Sequence, residues 1–236
     1  MSDFKCYRCG ASLQSEYPWC ECADGQCIVH ADCRDVLPVL GKVDLVLTDP
    51  PYGIGLEEHG RNGHDWRIAG DENQTLGNEV LRNCWQREWP QIAFSSPKAP
   101  WLEGYWRQWL VWDKGPAVGG GGDRATCWKF DWEIIQVRLM PKLNGKRDSS
   151  VLWFHIGQRD YHLHPCQKPV KLLHHLIGKA SGEGSAVLDP FLGSGTTLRA
   201  AKDLGRHALG IEIEEMYCEI AAERLRQGVL EFTEAT

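Results

Sequence analysis

Apolar and polar positions along this chain alternate between short strand-like runs and longer helix-like ones, most regularly in its last third. There Lys168–Ala180 reads as a helix, Ala186–Leu188 as a strand and Thr196–Leu204 as a helix closed by Gly205. His207–Ile213 follows as a strand and Glu214–Gln227 as a helix with Glu215, Glu219 and Glu223 on one face. Nearer the start, Ile28–Ala31 is a short strand and Asp35–Leu40 a brief helix ended by Gly41. Val43–Thr48 is a buried strand stopped by Pro50 and Pro51. Between these regions the pattern predicts helices over Leu76–Trp89 and Trp101–Gln108, and strands over Gln91–Ser95, Trp109–Trp112 and Trp132–Arg138. Residues 53–75 have no consistent period and read as a long mobile loop, and Gly119–Gly122 as a flexible one. Strands alternating with helices predict an α/β chain with a doubly wound, mostly parallel sheet.

Length changes this picture little, since 236 residues suit one α/β domain with a small appendage. The appendage is residues 1–27, poor in apolar periodicity and rich in Cys and Gly; the main domain is 28–236. With 42% apolar and 25% charged residues the composition is that of a soluble globular protein. Apolar runs are strand-length, far short of a membrane span, and Met1–Lys5 lacks the apolar core of a secretory leader, so a cytoplasmic location is expected. A formal charge of −6 excludes a surface coated in positive charge. A polyanion would have to be met locally, as by Arg138, Lys142, Lys146 and Arg147. Six of the ten cysteines (Cys6, Cys9, Cys20, Cys22, Cys27 and Cys33) crowd the first 33 residues, which in a reducing compartment reads as metal ligation. Cys6-x-x-Cys9-Gly10 has the form of a zinc knuckle, which Cys20 and Cys22 could complete, with Cys27 as a substitute. Cys33 reads instead as a strand-end residue beside Asp32.

Two segments carry candidate chemistry. Asp189-Pro190-Phe191-Leu192-Gly193-Ser194-Gly195-Thr196-Thr197 lies between a strand and a helix, where α/β sheets bind ligands. Its glycines let the backbone approach a ligand, and no Lys follows them, so it is not a phosphate-binding P-loop. Glu212, at the next strand's end, is placed to hold a ribose diol, and Asp189 to meet the positive end of a zwitterion. The second segment is Asp49-Pro50-Pro51-Tyr52, directly after a strand. An amine conjugated to a ring is a poor nucleophile. A carboxylate (Asp49) and a carbonyl (Pro50) that accept its two hydrogens would push the nitrogen toward tetrahedral geometry. The two prolines fix that backbone, and Tyr52 could stack on an everted base.

Together and in this order, the DPPY and DPFLGSGTT segments resemble the β-class DNA amino-methyltransferases, from about Ile28 to about Arg226. The resemblance implies a Rossmann-like, seven-stranded, mostly parallel sheet with permuted motif order, in which Ile28 begins a central strand. It implies S-adenosylmethionine as cofactor, held by Asp32, Cys33, Asp49, Lys168, Asp189, Phe191, Gly193, Ser194, Gly195, Thr196, Thr197 and Glu212. The segment His164-Pro165-Cys166-Gln167-Lys168-Pro169 would pack beside the cofactor's methionine part, which argues against Cys166 as a nucleophile. Catalysis would fall to Asp49, Pro50, Pro51 and Tyr52, by direct methyl transfer to adenine N6 in double-stranded DNA. Asp at the first DPPY position is associated with adenine; the alternatives are cytosine N4, or an inactive zinc-bearing DNA-binding protein. A restriction–modification setting, a homodimer and a structural zinc at Cys6, Cys9, Cys20 and Cys22 complete the expectations. Target recognition is expected within 113–161, with Arg124, Lys129, Lys142, Lys146, Arg147 and Arg159 as DNA contacts. The Arg61–Arg67 loop, including Trp66, is another candidate. Most tryptophans, Trp85 and Trp89 among them, read as core.

Overall fold

A computed structural model describes residues 4–13, 22, 24–55, 57–59, 65–115, 127–138, 143–155 and 167–227. In chain order its elements are β1 (Gln26–His30), α1 (Cys33–Val36), β2 (Leu45–Thr48), β3 (Glu57–His59), β4 (Asp65–Arg67), α2 (Thr75–Gln86), β5 (Gln91–Ser95), β6 (Gln108–Asp113), β7 (Trp132–Arg138), β8 (Val151–Trp153), α3 (Val170–Ala180), β9 (Ala186–Asp189), α4 (Thr196–Asp203), β10 (His207–Glu212) and α5 (Glu215–Arg226). Eight strands form one sheet in the order β1-β10-β9-β2-β5-β7-β6-β8. The first five are mutually parallel, β7 runs antiparallel to β5 and β6, and β8 is parallel to β6.

The parallel half is apolar on both faces because helices cover both. Successive strand residues point to opposite sides. Ile28, Leu45 and Leu47 join Leu172, Ile177, Leu198 and Leu225 of α3, α4 and α5 in one core. Val29, Val46, Leu188 and Leu209 join Val36, Val80 and Cys84 of α1 and α2 on the other side, together with Cys6 and Leu13. Glu215, Glu219 and Glu223 form the exposed face of α5, as the pattern predicts. No helix among the described residues is long and apolar enough to cross a membrane.

Several expectations are corrected. The sheet has an eighth strand, the three-residue β8, too short to stand out as a period. β1 is an edge strand rather than a central one; beyond it the Tyr7 amide donates to the Ile28 carbonyl (2.7 Å). The 53–75 stretch contains the antiparallel ribbon β3–β4. Its return is pinned, since Asp71 is buried and accepts from the Gly53 amide at 2.7 Å. Residues 101–108 form no helix. Side chains take up the backbone there: Gln136 Oε1 accepts from the Leu102 amide (3.2 Å), and the Trp106 indole donates to the Leu102 carbonyl (3.0 Å). Trp89 is buried, but Trp85 is 43% exposed, and Trp101, Trp109, Trp128 and Trp153 are exposed too. Tryptophan count is therefore a poor guide to this core. Arg138 belongs to no solvated patch: it is buried, with its guanidinium 3.7 Å from the Trp85 ring centre. Gly119–Gly122 lie outside the described residues.

Ile135 is fully buried in β7, the strand that joins the antiparallel and parallel halves. Ile135→Ala should cost about 2–5 kcal/mol of stability, measured by urea unfolding.

Candidate active site

β2 and β9 are adjacent and parallel, with Leu45 opposite Val187 and Val46 opposite Leu188. The segments that leave their carboxyl ends, Asp49–Tyr52 and Asp189–Thr197, therefore emerge side by side. The Thr48 hydroxyl joins them by donating to Asp189 Oδ1 at 2.8 Å. Both segments line one cleft of about 820 Å³, which also takes in Asp32, Cys33, Lys168 and Glu212. That volume lies in the upper part of the range of small-molecule sites.

The glycine turn is fixed from three sides. The Gly193 amide donates to Glu212 Oε2 (2.8 Å), the Leu192 amide to the Ile211 carbonyl (3.0 Å), and the Ser194 hydroxyl to Gln167 Oε1 (3.2 Å). Gln167 Oε1 also accepts from Arg224 of α5 (2.7 Å), so the Gln167-Lys168-Pro169 segment is packed against the turn. Gly195 has φ +80°, and a Cβ there would lie 2.6 Å from the Ala221 Cβ, so no other residue fits without shifting α5. Ser194, Thr196 and Thr197 are buried, while Phe191 is half-buried at the cleft.

Burial pushes Asp189 up to about 6, although Thr197, Thr48 and the Phe191 amide all bond to it and favour its charged form. Burial also raises Glu212, against the amides of Glu214 and Gly193. Asp32 caps α1 and pairs with Arg34 (2.5 Å), whose bond holds it below the usual carboxylate range. The Cys33 thiol is buried and pushed up to about 12, hence neutral.

Asp49 sits in a chain of charges that runs across the cleft. Lys168 Nζ donates to Asp49 Oδ2 (2.5 Å) and lies 3.3 Å from Glu133 Oε2; Lys114 Nζ donates to Glu133 Oε1 (2.5 Å). The Tyr52 hydroxyl donates to Asp49 Oδ1. Burial raises Asp49, helped by the charge of Glu133 and opposed by Lys168. For Glu133, Lys168 and Lys114 outweigh burial and hold it low. Lys168, expected near the cofactor, thus has its ammonium against Asp49. Sequence reasoning misses Glu133 and Lys114; the available signal is an acid beside the apolar pair Ile134–Ile135 in a strand. Pro50 and Pro51 are buried.

At the rim, Trp128 is 85% exposed and Lys129 is exposed beside it. Lys146 and Arg147 are exposed but do not line the cleft. Arg61, Arg124, Lys142, Arg159 and Cys166 lie outside the described residues, as do the side chains of Trp66 and Arg67.

A family model described as DNA methylase matches residues 85–223. The chain belongs to this family of DNA amino-methyltransferases. Its members modify adenine N6 or cytosine N4, and the cofactor is S-adenosylmethionine. This methyltransferase is 29% identical over 217 residues to the Type II methyltransferase M.HpaI of Haemophilus parainfluenzae, covering 78% of this chain and 68% of that protein. It is 27% identical over 246 residues to M.HinfI of Haemophilus influenzae, covering 85% and 68%. In fold it is similar to the crystal structure of an M1.HpyAVI–SAM complex, with a TM-score of 0.63, 23% identity, and coverage of 86% of this chain and all of that one. The cleft suits such a cofactor: an acid stands at each of three neighbouring strand ends, at Asp32, Glu212 and Asp189, beside a turn that approaches closely.

Because the folded protein holds Asp189 above its unfolded value, the cost of ionising it is absent at low pH and builds as pH rises between about 4 and 6. Relative to Asp189→Asn, the wild-type chain should lose about 2 kcal/mol of stability from pH 4 to pH 7. Urea unfolding of both proteins across that window checks the difference.

Proposed function

We propose that this methyltransferase transfers the methyl group of S-adenosylmethionine to N6 of adenine in double-stranded DNA. The observation that carries this reading is the placement of the Asp49 carboxylate and the DPPY backbone beside the glycine turn, in one cleft. When bound beside the glycine turn and Glu212, the cofactor would supply an electrophilic sulfonium methyl, whose transfer to the amine nitrogen breaks the C–S bond and leaves the sulfur as a neutral thioether. Asp49 and the Pro50 carbonyl accept the two amine hydrogens and localise that lone pair on nitrogen. The Asp49 carboxylate takes up the proton that the methylated amine sheds, a task its raised affinity for protons favours.

Lys168 is a positioning residue in this scheme. It fixes the carboxylate's direction, and Glu133 and Lys114 fix Lys168 in turn. The Tyr52 hydroxyl occupies the second Asp49 oxygen until a base enters, and its ring then offers a stacking face. The rim pair Trp128 and Lys129 serves DNA, one by stacking and the other by charge. Adenine is favoured over cytosine by Asp at the first DPPY position, the form associated with adenine in the resemblance described above.

Asp49→Ala should lower kcat by at least about 10²-fold with cofactor affinity nearly unchanged. Activity persisting within about tenfold of wild type, read by radiolabel transfer, contradicts the assignment. Hydrolysis of the methylated DNA should release N6-methyladenine; N4-methylcytosine would move the chain to the other branch of its family. Glu133→Gln removes a negative charge that raises Asp49. The acidic limb of its rate–pH profile should therefore shift to lower pH, an effect that loss of packing alone would not give.

A further inference from the structure

The N-terminal hairpin carries a cluster that methyl transfer does not use. The Sγ atoms of Cys6, Cys9 and Cys22 all lie within 4.8 Å of one another, and Cys6 and Cys22 are separated by 3.7 Å. A disulfide would hold two sulfurs at about 2.05 Å. Sulfurs on a tetrahedral zinc with Zn–S bonds of about 2.3 Å stand about 3.8 Å apart. The Cys6–Cys22 spacing matches two ligands of one ion, and the third sulfur lies within reach of the same centre.

The backbone is shaped to match. The Gly10 amide donates to the Cys6 carbonyl (2.8 Å) with Gly10 at φ +74°, and the Cys6 amide donates to the Ala11 carbonyl (2.8 Å). Lys5 and Ser12 form an antiparallel bridge below this turn. The hairpin therefore brings Cys6 and Cys9 to one tip, and Cys22 meets them from sixteen residues beyond Cys6. We propose that Cys6, Cys9 and Cys22 ligate a structural zinc ion. Thiolate donors select a soft or borderline ion over magnesium or calcium. Cys20, the fourth thiolate expected from the sequence, lies outside the described residues.

The ion's place in the fold gives it a task. The same hairpin covers the open edge of the sheet, where the Tyr7 amide donates to Ile28 of β1 and Arg8 binds both Asp24 (2.6 Å) and the Gln26 carbonyl (2.7 Å). Lys202 of α4 reaches Asp24 as well (3.1 Å). Zinc clasps this hairpin over the edge strand β1, which ends at His30 just before Asp32. An unpaired edge is a liability that proteins cover.

The test is elemental analysis of the full chain, expressed with added zinc and purified under reducing conditions without chelator. One zinc per chain is expected. The Cys6→Ser/Cys22→Ser double variant should retain less than about a tenth of it, and Cys127→Ser, remote from the cluster, should keep it. Should the double variant fail to fold, titrating the wild type with a mercurial gives an independent reading, because zinc release must track modification of at least three thiols. Cobalt exchanged into the site should show thiolate charge-transfer absorption. A folded wild-type chain without zinc, zinc retained by the double variant, or release uncoupled from thiol modification would each overturn the proposal.

Discussion

Strands β2 and β9 leave the sheet next to each other and in the same direction, and the bond from Thr48 to Asp189 ties their ends. Everything the cleft does depends on that adjacency. In a parallel sheet the carboxyl ends of neighbouring strands share one edge, and loops leaving them must cross into the same crevice. Two segments 140 residues apart, Asp49 and Asp189, thereby become walls of a single site. The chain order is permuted relative to space: the Asp49–Tyr52 segment comes first, and the glycine turn is laid down only after the sheet's antiparallel half is built.

The second constraint is electrostatic. Two carboxylates and two ammonium groups share the floor of the cleft, arranged Asp49, Lys168, Glu133, Lys114 with signs alternating. Charges taken from water cost several kcal/mol each unless they are well paired, and replacing such a network by apolar residues is often neutral or better for stability. Its value here is directional. Lys168 holds the Asp49 carboxylate from behind, so its direction is set before any ligand enters the cleft. Glu133 raises the proton affinity of Asp49 while Lys168 lowers it. The network thus tunes this carboxylate as well as fixing it.

Much of this was legible in the sequence because local chemistry and global fold agree there. The strand–turn–helix from Ala186 to Asp203 follows its apolar pattern, and Gln91–Ser95 and Trp132–Arg138 match the observed strands residue for residue. What escaped was long-range. Nothing local tells Glu133 or Lys114 that Lys168 lies opposite. Residues 101–108 have a helix-like apolar spacing, but Gly104 stands at φ +112° and Gln136 from a distant strand binds the Leu102 backbone. β1 reads as a buried strand and is one, yet its burial at the edge comes from the N-terminal hairpin rather than from a second neighbouring strand. Trp89, Trp106 and Trp112 are buried, but the exposed Trp85, Trp101, Trp109, Trp128 and Trp153 show that tryptophan alone does not mark this core.

The most direct test of the shared cleft is a crystal structure of the chain with S-adenosylhomocysteine and a duplex containing its target site. The cofactor sulfur is expected near the Asp49 side of the glycine turn, with an everted base whose amine lies within about 3 Å of Asp49 and the Pro50 carbonyl. A cofactor whose sulfur faces away from Asp49, or a base bound with its amine outside the DPPY turn, would contradict it.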